Sequence, residues 1–378
     1  MKRLASLILL LLCSLLILTG CGPTPPSPPP TPEATAPPGA TAPPGPEVPS
    51  PPEPLPMPEP PPMPEPPSPP EPPPMPTPPT PSEIEVVKVD AEPQKGFYWA
   101  YYLYVPDSLR TSVKENEETY LLVEPNNTGY TSDDQEVHDA AAKEIAQRMS
   151  RVAESLGVPL LVPTFPRPQK NWRIYTQALD RDTVLTEIDE LKRIDRQLIA
   201  MIDDATEELS SEGINLERKV LMTGFSASGM FVNRFTVLHP ERIQAAAIAS
   251  PGGWPIVPVE EWEGVDLRYP IGVWDIEEIV DEEFDIESFK SVPLYFYLGD
   301  EDTNDSVPNE DSYDPEDKQL IFRYFGDIPV ERWPIAEEIY NSVGCSSQFV
   351  LYPGVEHEVT EEMMEDVKTF FLNNLESR

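Results

Sequence analysis

The stretch KVLMTGFSASGMFVNRF, residues 219–235, decides how this chain is read. It opens on an apolar run, Val220-Leu221-Met222, of the kind that makes a buried strand. It then passes through the small-residue segment Gly224-Phe225-Ser226-Ala227-Ser228-Gly229. Beyond it, Met230, Phe231, Phe235 and Leu238 fall at helical spacing. That order predicts a strand, a sharp turn and a helix, with a serine at the apex. So tight a turn strains the backbone of its central residue, and small neighbours keep the strand and helix from colliding. The serine hydroxyl is therefore expected at the carboxyl end of a strand, with a helix amino terminus behind it that favours negative charge.

Outward from this turn, strand and helix patterns alternate. Strands are expected over residues 84–89, 97–105, 120–123, 159–163, 243–249, 294–298 and 348–352. Residues 106–118 read as a polar loop. Helices are expected over 135–156, in one long run ending near Leu209, over 334–343, and over 360–375. Alternation of this kind predicts an α/β fold whose mostly parallel central sheet is covered by helices on both faces. Ligands of such sheets bind at the carboxyl ends of the strands. Two long insertions, residues 255–292 and 306–333, are placed to form a lid.

A serine hydroxyl becomes a useful nucleophile when a base takes its proton, usually a histidine held by a carboxylate. The chain has three histidines. His138 falls near the start of a helix and His239 at the end of one, positions suited to surface or capping roles. His357 lies in the loop Pro353-Gly354-Val355-Glu356-His357-Glu358, between the last strand and the last helix. Acidic residues cluster after the strand at 294–298, in Asp300-Glu301-Asp302-Thr303-Asn304-Asp305. Asp300, Asp302 and Asn304 also stand at the first, third and fifth places of a calcium loop. The sixth place there is Asp305 where glycine is needed, and the twelfth is Asp311 where glutamate is needed.

The ordered set of a serine turn, a later acid loop and a final histidine loop resembles the α/β-hydrolases over residues 95–375. In texture it is similar to their feruloyl-esterase and polyhydroxybutyrate-depolymerase-like group. The match to the Gly-x-Ser-x-Gly elbow departs at one place, where Ser228 stands for the second glycine. The resemblance implies a serine hydrolase acting on carboxylic esters, with Ser226 as nucleophile and His357 as base. It selects Asp302 as the acid through the Gly-x-x-Asp-Thr pattern at 299–303, with Asp305 and then Asp300 as runners-up. It implies an oxyanion hole from the amide of Ala227 and from the loop Asn126-Asn127-Thr128, where Asn127 is the chosen donor. Trp254, Trp172 and Tyr175 are expected to line the substrate pocket. Neither a cofactor nor a metal is implied. A serine peptidase of the same fold and a non-catalytic binding protein are the rival readings.

The rest of the chain bears on location. Residues 1–20 begin Met-Lys-Arg and continue as an apolar run, as in a secretory leader. The leader ends in Leu18-Thr19-Gly20-Cys21, which resembles a bacterial lipobox. That resemblance implies cleavage before Cys21, lipid on Cys21, and an extracytoplasmic, membrane-anchored protein. Residues 21–82 form a proline-rich spacer favouring extended polyproline II, with glutamates every six residues from Glu47 to Glu71. Its composition suits a stiff tether; the other reading is a surface that contacts the cell wall. The hydrolase-like domain is expected over 83–378. Its only cysteine is Cys345, so no disulfide can form within it, and it reads as a small buried apolar residue. A net charge of −39 argues against a nucleic-acid partner.

Overall fold

The computed structural model describes residues 85–111 and 118–375. The expectations for the leader, Cys21 and the proline-rich spacer lie outside the described residues, as does Ile84. Strand β1 (Val87–Val89) pairs antiparallel with β2 (Tyr101–Tyr104). Helix α1 (Asp107–Thr111) then occupies part of what the sequence predicts as loop. Next come β3 (Glu118–Val123), α2 (Gln135–Leu156) and β4 (Leu160–Pro163). The ends of α2 coincide with the predicted ones because both stop signals are local. The Asp134 side chain accepts from the Glu136 amide, and Gly157 closes the helix in the left-handed region at φ 67°.

The long helix expected to end near Leu209 is two helices, α3 (Arg181–Leu185) and α4 (Ile194–Ser211). Thr186 leaves the helix with extended backbone, and Arg193 enters the next one at φ 47°. The central elements follow as β5 (Asn215–Phe225), α5 (Ala227–Leu238) and β6 (Ile243–Ala249). The first insertion holds the short hairpin β7 (Glu261–Trp262) and β8 (Val265–Asp266), then α6 (Ile276–Val280) and α7 (Ile286–Ser291). After β9 (Leu294–Gly299), the second insertion contains α8 (Pro315–Tyr324) and leads into α9 (Pro329–Val343). The start of α9 is at Pro329 rather than Pro334, which lies inside the helix. Pro329 takes the first helical position, where a missing N–H costs nothing. The chain closes with β10 (Ser347–Tyr352) and α10 (Glu361–Leu375).

Eight strands form one sheet in the order β1-β2-β4-β3-β5-β6-β9-β10. Only the pairings made by β2 are antiparallel; those from β4 to β10 are parallel. Side chains alternate across the sheet, as a period of two requires. On one face Val220, Met222, Ala246, Ile248, Phe296 and Leu298 pack with α4, α5 and α9. On the other, Leu221, Ala245, Ala247, Tyr295 and Tyr297 pack with α2 and α10. With both faces covered, the parallel strands read as near-continuous apolar runs. Both insertions carry core residues, among them Tyr269 and Ile271 in the first and Val307 and Ile321 in the second.

Candidate active site

Ser226 stands between β5, in the middle of the sheet, and α5, with φ 61° and ψ −120°. This strained conformation aims its side chain out of the turn. Its N–H donates to the Ala249 carbonyl at 3.0 Å, and its own carbonyl accepts from Met230 at 2.9 Å to begin the helix. Ala227 is the first residue of α5, so its N–H has no acceptor within the helix. A Cβ on Gly224 would lie 2.4 Å from the Ser228 carbonyl, and one on Gly229 would lie 2.4 Å from the Ala249 carbonyl. Gly229 thus supplies the close helix-to-strand approach. Ser228 braces the turn instead: its Oγ accepts from the Phe225 N–H and donates to the Phe225 carbonyl, both at 2.9 Å. It is 2% exposed, so it points inward and not toward a ligand. Gly229→Ala is expected to lower stability by about 3 kcal/mol through overpacking against rigid backbone, read as a lower denaturation midpoint in urea.

The histidine loop is tied to the end of β9 by main-chain bonds. The Asp300 N–H donates to Tyr352 and the Glu301 N–H to Val355, both at 3.0 Å, while the Gly354 N–H donates to the Asp300 carboxylate at 2.6 Å. In this frame His357 Nδ1 lies 2.8 Å from Asp302 Oδ2. Asp302 is 1% exposed, and its other oxygen accepts from the Asn304 N–H at 2.9 Å. The Ser250 hydroxyl also donates to it. Burial alone would push the Asp302 carboxyl up, but the His357 hydrogen bond and the Asn304 amide hold it below the ordinary carboxylate range. The His357 ring lies tilted against Phe225, the residue before Ser226, with centroids 4.5 Å apart. Serine, imidazole and carboxylate therefore share the carboxyl end of one sheet.

The two runner-up acids are engaged elsewhere. Asp305 makes a two-pronged bond to Arg332, 2.9 Å at each oxygen, and Asp300 holds Gly354. Asp300 and Asp302 thus hold different partners, Gly354 and His357. Among the described residues no cluster of three or more histidine, cysteine, aspartate or glutamate side chains could hold a metal.

Of the oxyanion candidates, Asn127 Nδ2 reaches the Phe225 carbonyl at 3.4 Å, and its Oδ1 accepts from Gly129 at 3.1 Å. The Thr128 N–H already donates to Gln177 Oε1 at 2.8 Å. The pocket expectations fare differently. Trp254 is 1% exposed, stacked on Phe325 with centroids 4.0 Å apart and bonded through Nε1 to the Ile271 carbonyl. It is a core residue, because the insertions bring an aromatic partner down onto it. Tyr175 is buried with the Arg167 guanidinium 3.7 Å from its ring centroid, and Trp172 is 42% exposed beside Arg173. His239 does cap α5, and it bonds Asp195 at 2.8 Å. His138, expected at a surface or cap, is instead fully buried. Cys345 is partly buried, and burial pushes its thiol up to about 11, which suits a packing role and not a nucleophile.

One charged group next to the site was not singled out by sequence. Glu124 follows β3, is 4% exposed, and pairs with Arg148 at 3.0 Å. Burial raises its carboxyl to about 7, against the lowering effect of Arg148. The sign is that of a raised folded-state pKa. The unfolded chain gives up this proton near the ordinary glutamate value while the folded chain keeps it, so the contribution is present in acid and is lost as pH rises toward 7. Glu124→Gln is expected to gain stability over the native chain by about 2 kcal/mol on going from pH 5 to pH 8. Urea titrations of both proteins across that range test this, and a difference independent of pH would refute it.

No protein-family model matches the chain, and neither does any curated protein. Among solved structures, it is similar to poly(aspartic acid) hydrolase-1 from Sphingomonas sp. KT-1, at 18% identity and TM-score 0.50, over 76% of this chain and 98% of the other. It is also similar to the poly(3-hydroxybutyrate) depolymerase LpqC from Bordetella parapertussis, at 16% identity and TM-score 0.50, over 77% of this chain and 91% of the other. At such identities the likeness is one of fold. Together with the sheet order and the turn at Ser226, it gives this chain the α/β-hydrolase fold.

Proposed function

We propose that this α/β-hydrolase-fold chain is an extracytoplasmic serine hydrolase that cleaves carboxylic esters. The observation carrying the reading is the 2.8 Å bond from His357 Nδ1 to buried Asp302, at the sheet end where strained Ser226 is presented. With Nδ1 donating to Asp302, Nε2 of the neutral ring is the acceptor. Ser226 Oγ attacks the ester carbonyl as Nε2 takes its proton. The carbonyl oxygen, now negative, is received by the amides of Ala227 and Asn127. The C–O bond to the alcohol breaks, and the alcohol leaves with the proton from Nε2. Water then attacks the acyl-enzyme by the same route and releases the acid. Asp302 stays ionised throughout, orienting the ring and offsetting its positive charge. No metal or cofactor enters this scheme.

The leader and Leu18-Thr19-Gly20-Cys21 support a lipid anchor on Cys21, from which the proline-rich spacer would hold the domain away from a bacterial membrane. The test is a fluorophosphonate probe, followed by p-nitrophenyl esters and p-nitroanilide peptides. Labelling at Ser226 with turnover of the esters is the expected result. Labelling with turnover of the anilides alone would favour a peptidase, and an unlabelled chain a binding protein.

A further inference from the structure

The loop that follows β3 is held from behind by buried side chains. His138, in the first turns of α2, is fully buried. Its Nε2 lies 3.0 Å from the Ser132 carbonyl and its Nδ1 lies 2.9 Å from Thr128 Oγ1. The Arg167 N–H stands 3.3 Å from the same Nε2, a longer contact. A carbonyl oxygen can only accept, so the shorter bond assigns the proton to Nε2 and makes Nδ1 the acceptor of the Thr128 hydroxyl. Gln177, also fully buried, completes the arrangement. Its Nε2 donates to Thr128 Oγ1 at 2.8 Å and to the Phe165 carbonyl at 2.7 Å, while its Oε1 accepts the Thr128 N–H at 2.8 Å. Through the side chains, hydrogen bonds thus run from Gln177 to Thr128 to His138 to Ser132, while the Thr128 main chain donates back to Gln177.

The residue on the other side of Asn127 is clamped as well. Asn126 Nδ2 donates to the Phe165 carbonyl at 2.9 Å, and its Oδ1 accepts the Phe165 N–H at 3.0 Å. Asn127 therefore sits between two residues fastened to Phe165, just past β4: Asn126 by its own side-chain amide and Thr128 through Gln177, while His138 ties Thr128 onward to Ser132. Apolar packing alone would be served by leucine at 138. Here both ring nitrogens are used on the segment between Thr128 and Ser132.

We propose that His138 is a positioning residue: through Thr128 it holds the main chain at Asn127 where the oxyanion is received. This rests on the reading of Ser226 as the nucleophile of a hydrolase. Oxyanion donors act by being in place before charge develops, and a shift near 1 Å is worth about a hundredfold in rate.

The test uses the full chain, a p-nitrophenyl ester and a fluorophosphonate probe on the native protein, Thr128→Val, His138→Leu and His138→Asn. Thr128→Val keeps shape and main-chain N–H but removes the hydroxyl. It and His138→Leu are expected to lower kcat about tenfold to a hundredfold with KM within about threefold, and to slow labelling without preventing its completion. His138→Asn places an acceptor near the lost Nδ1 and is expected to recover most of the loss. If kcat holds in Thr128→Val and His138→Leu while only their melting temperatures fall, the residue is structural and the proposal is overturned. Should His138→Leu not fold, Thr128→Val decides alone. An unlabelled native protein would sink the hydrolase reading, and this proposal with it; a labelled native protein with unaffected variants would sink this proposal only.

Discussion

Ser226→Ala is expected to abolish hydrolysis of a p-nitrophenyl short-chain ester, with kcat down by about 10⁴-fold or more, while the fold persists. In the proposed mechanism the substitution removes the attacking atom and leaves the weak catalysis that oriented amides give to water. Folding is expected to survive because Ser226 contributes its main chain to the elbow, through bonds to Ala249 and Met230 that alanine keeps. Circular dichroism with a melting curve checks that the fold persists. Undiminished turnover by a well-folded Ser226→Ala protein would end the assignment of Ser226.

Asp302→Asn is expected to be nearly as damaging, with kcat reduced about 10³- to 10⁴-fold. Asparagine keeps the shape of the buried carboxyl but can present an N–H to His357 Nδ1. The ring then carries its proton on Nε2, the atom that must accept from serine. The loss should fall on kcat more than on KM, since the defect is in proton transfer. Asp305→Asn is the contrasting measurement. Asp305 is bound at both oxygens to Arg332, whose side chain is 1% exposed. Weakening that pair is expected to lower stability by about 2–4 kcal/mol, with kcat at low temperature within a fewfold of native. Equal kcat losses in both variants, or a larger one in Asp305→Asn, would move the acid away from Asp302.

Much of this site was legible locally, and the misses have a common cause. Helix α2 was predicted to its ends because Asp134 and Gly157 act on residues within a turn of themselves. The split between α3 and α4 has no local signal, because Arg193 in the left-handed region carries no warning such as glycine or proline. Trp254, following a strand in a glycine-rich segment, reads as a pocket wall until Phe325 stacks on it from the second insertion. Ser250, in the same segment, donates to Asp302 from just past the end of β6, a contact that no local pattern announces. No local signal marks His138 as buried: Gln177, which reaches the same Thr128, stands far along the chain.

By itself, the sequence determined the strand, serine turn and helix at 219–235, the alternation that makes a parallel sheet, and the chain order of serine, acid and histidine. These follow from backbone sterics and side-chain period, which act over a few residues. Only the tertiary structure decided that Asp302 and not Asp305 meets His357, that Ser228 braces the elbow, and that Thr128 spends its amide on Gln177. Hydrogen bonds are settled by tenths of an ångström and tens of degrees between groups that the register of the sheet brings together. Spacing along the chain carries no record of that geometry.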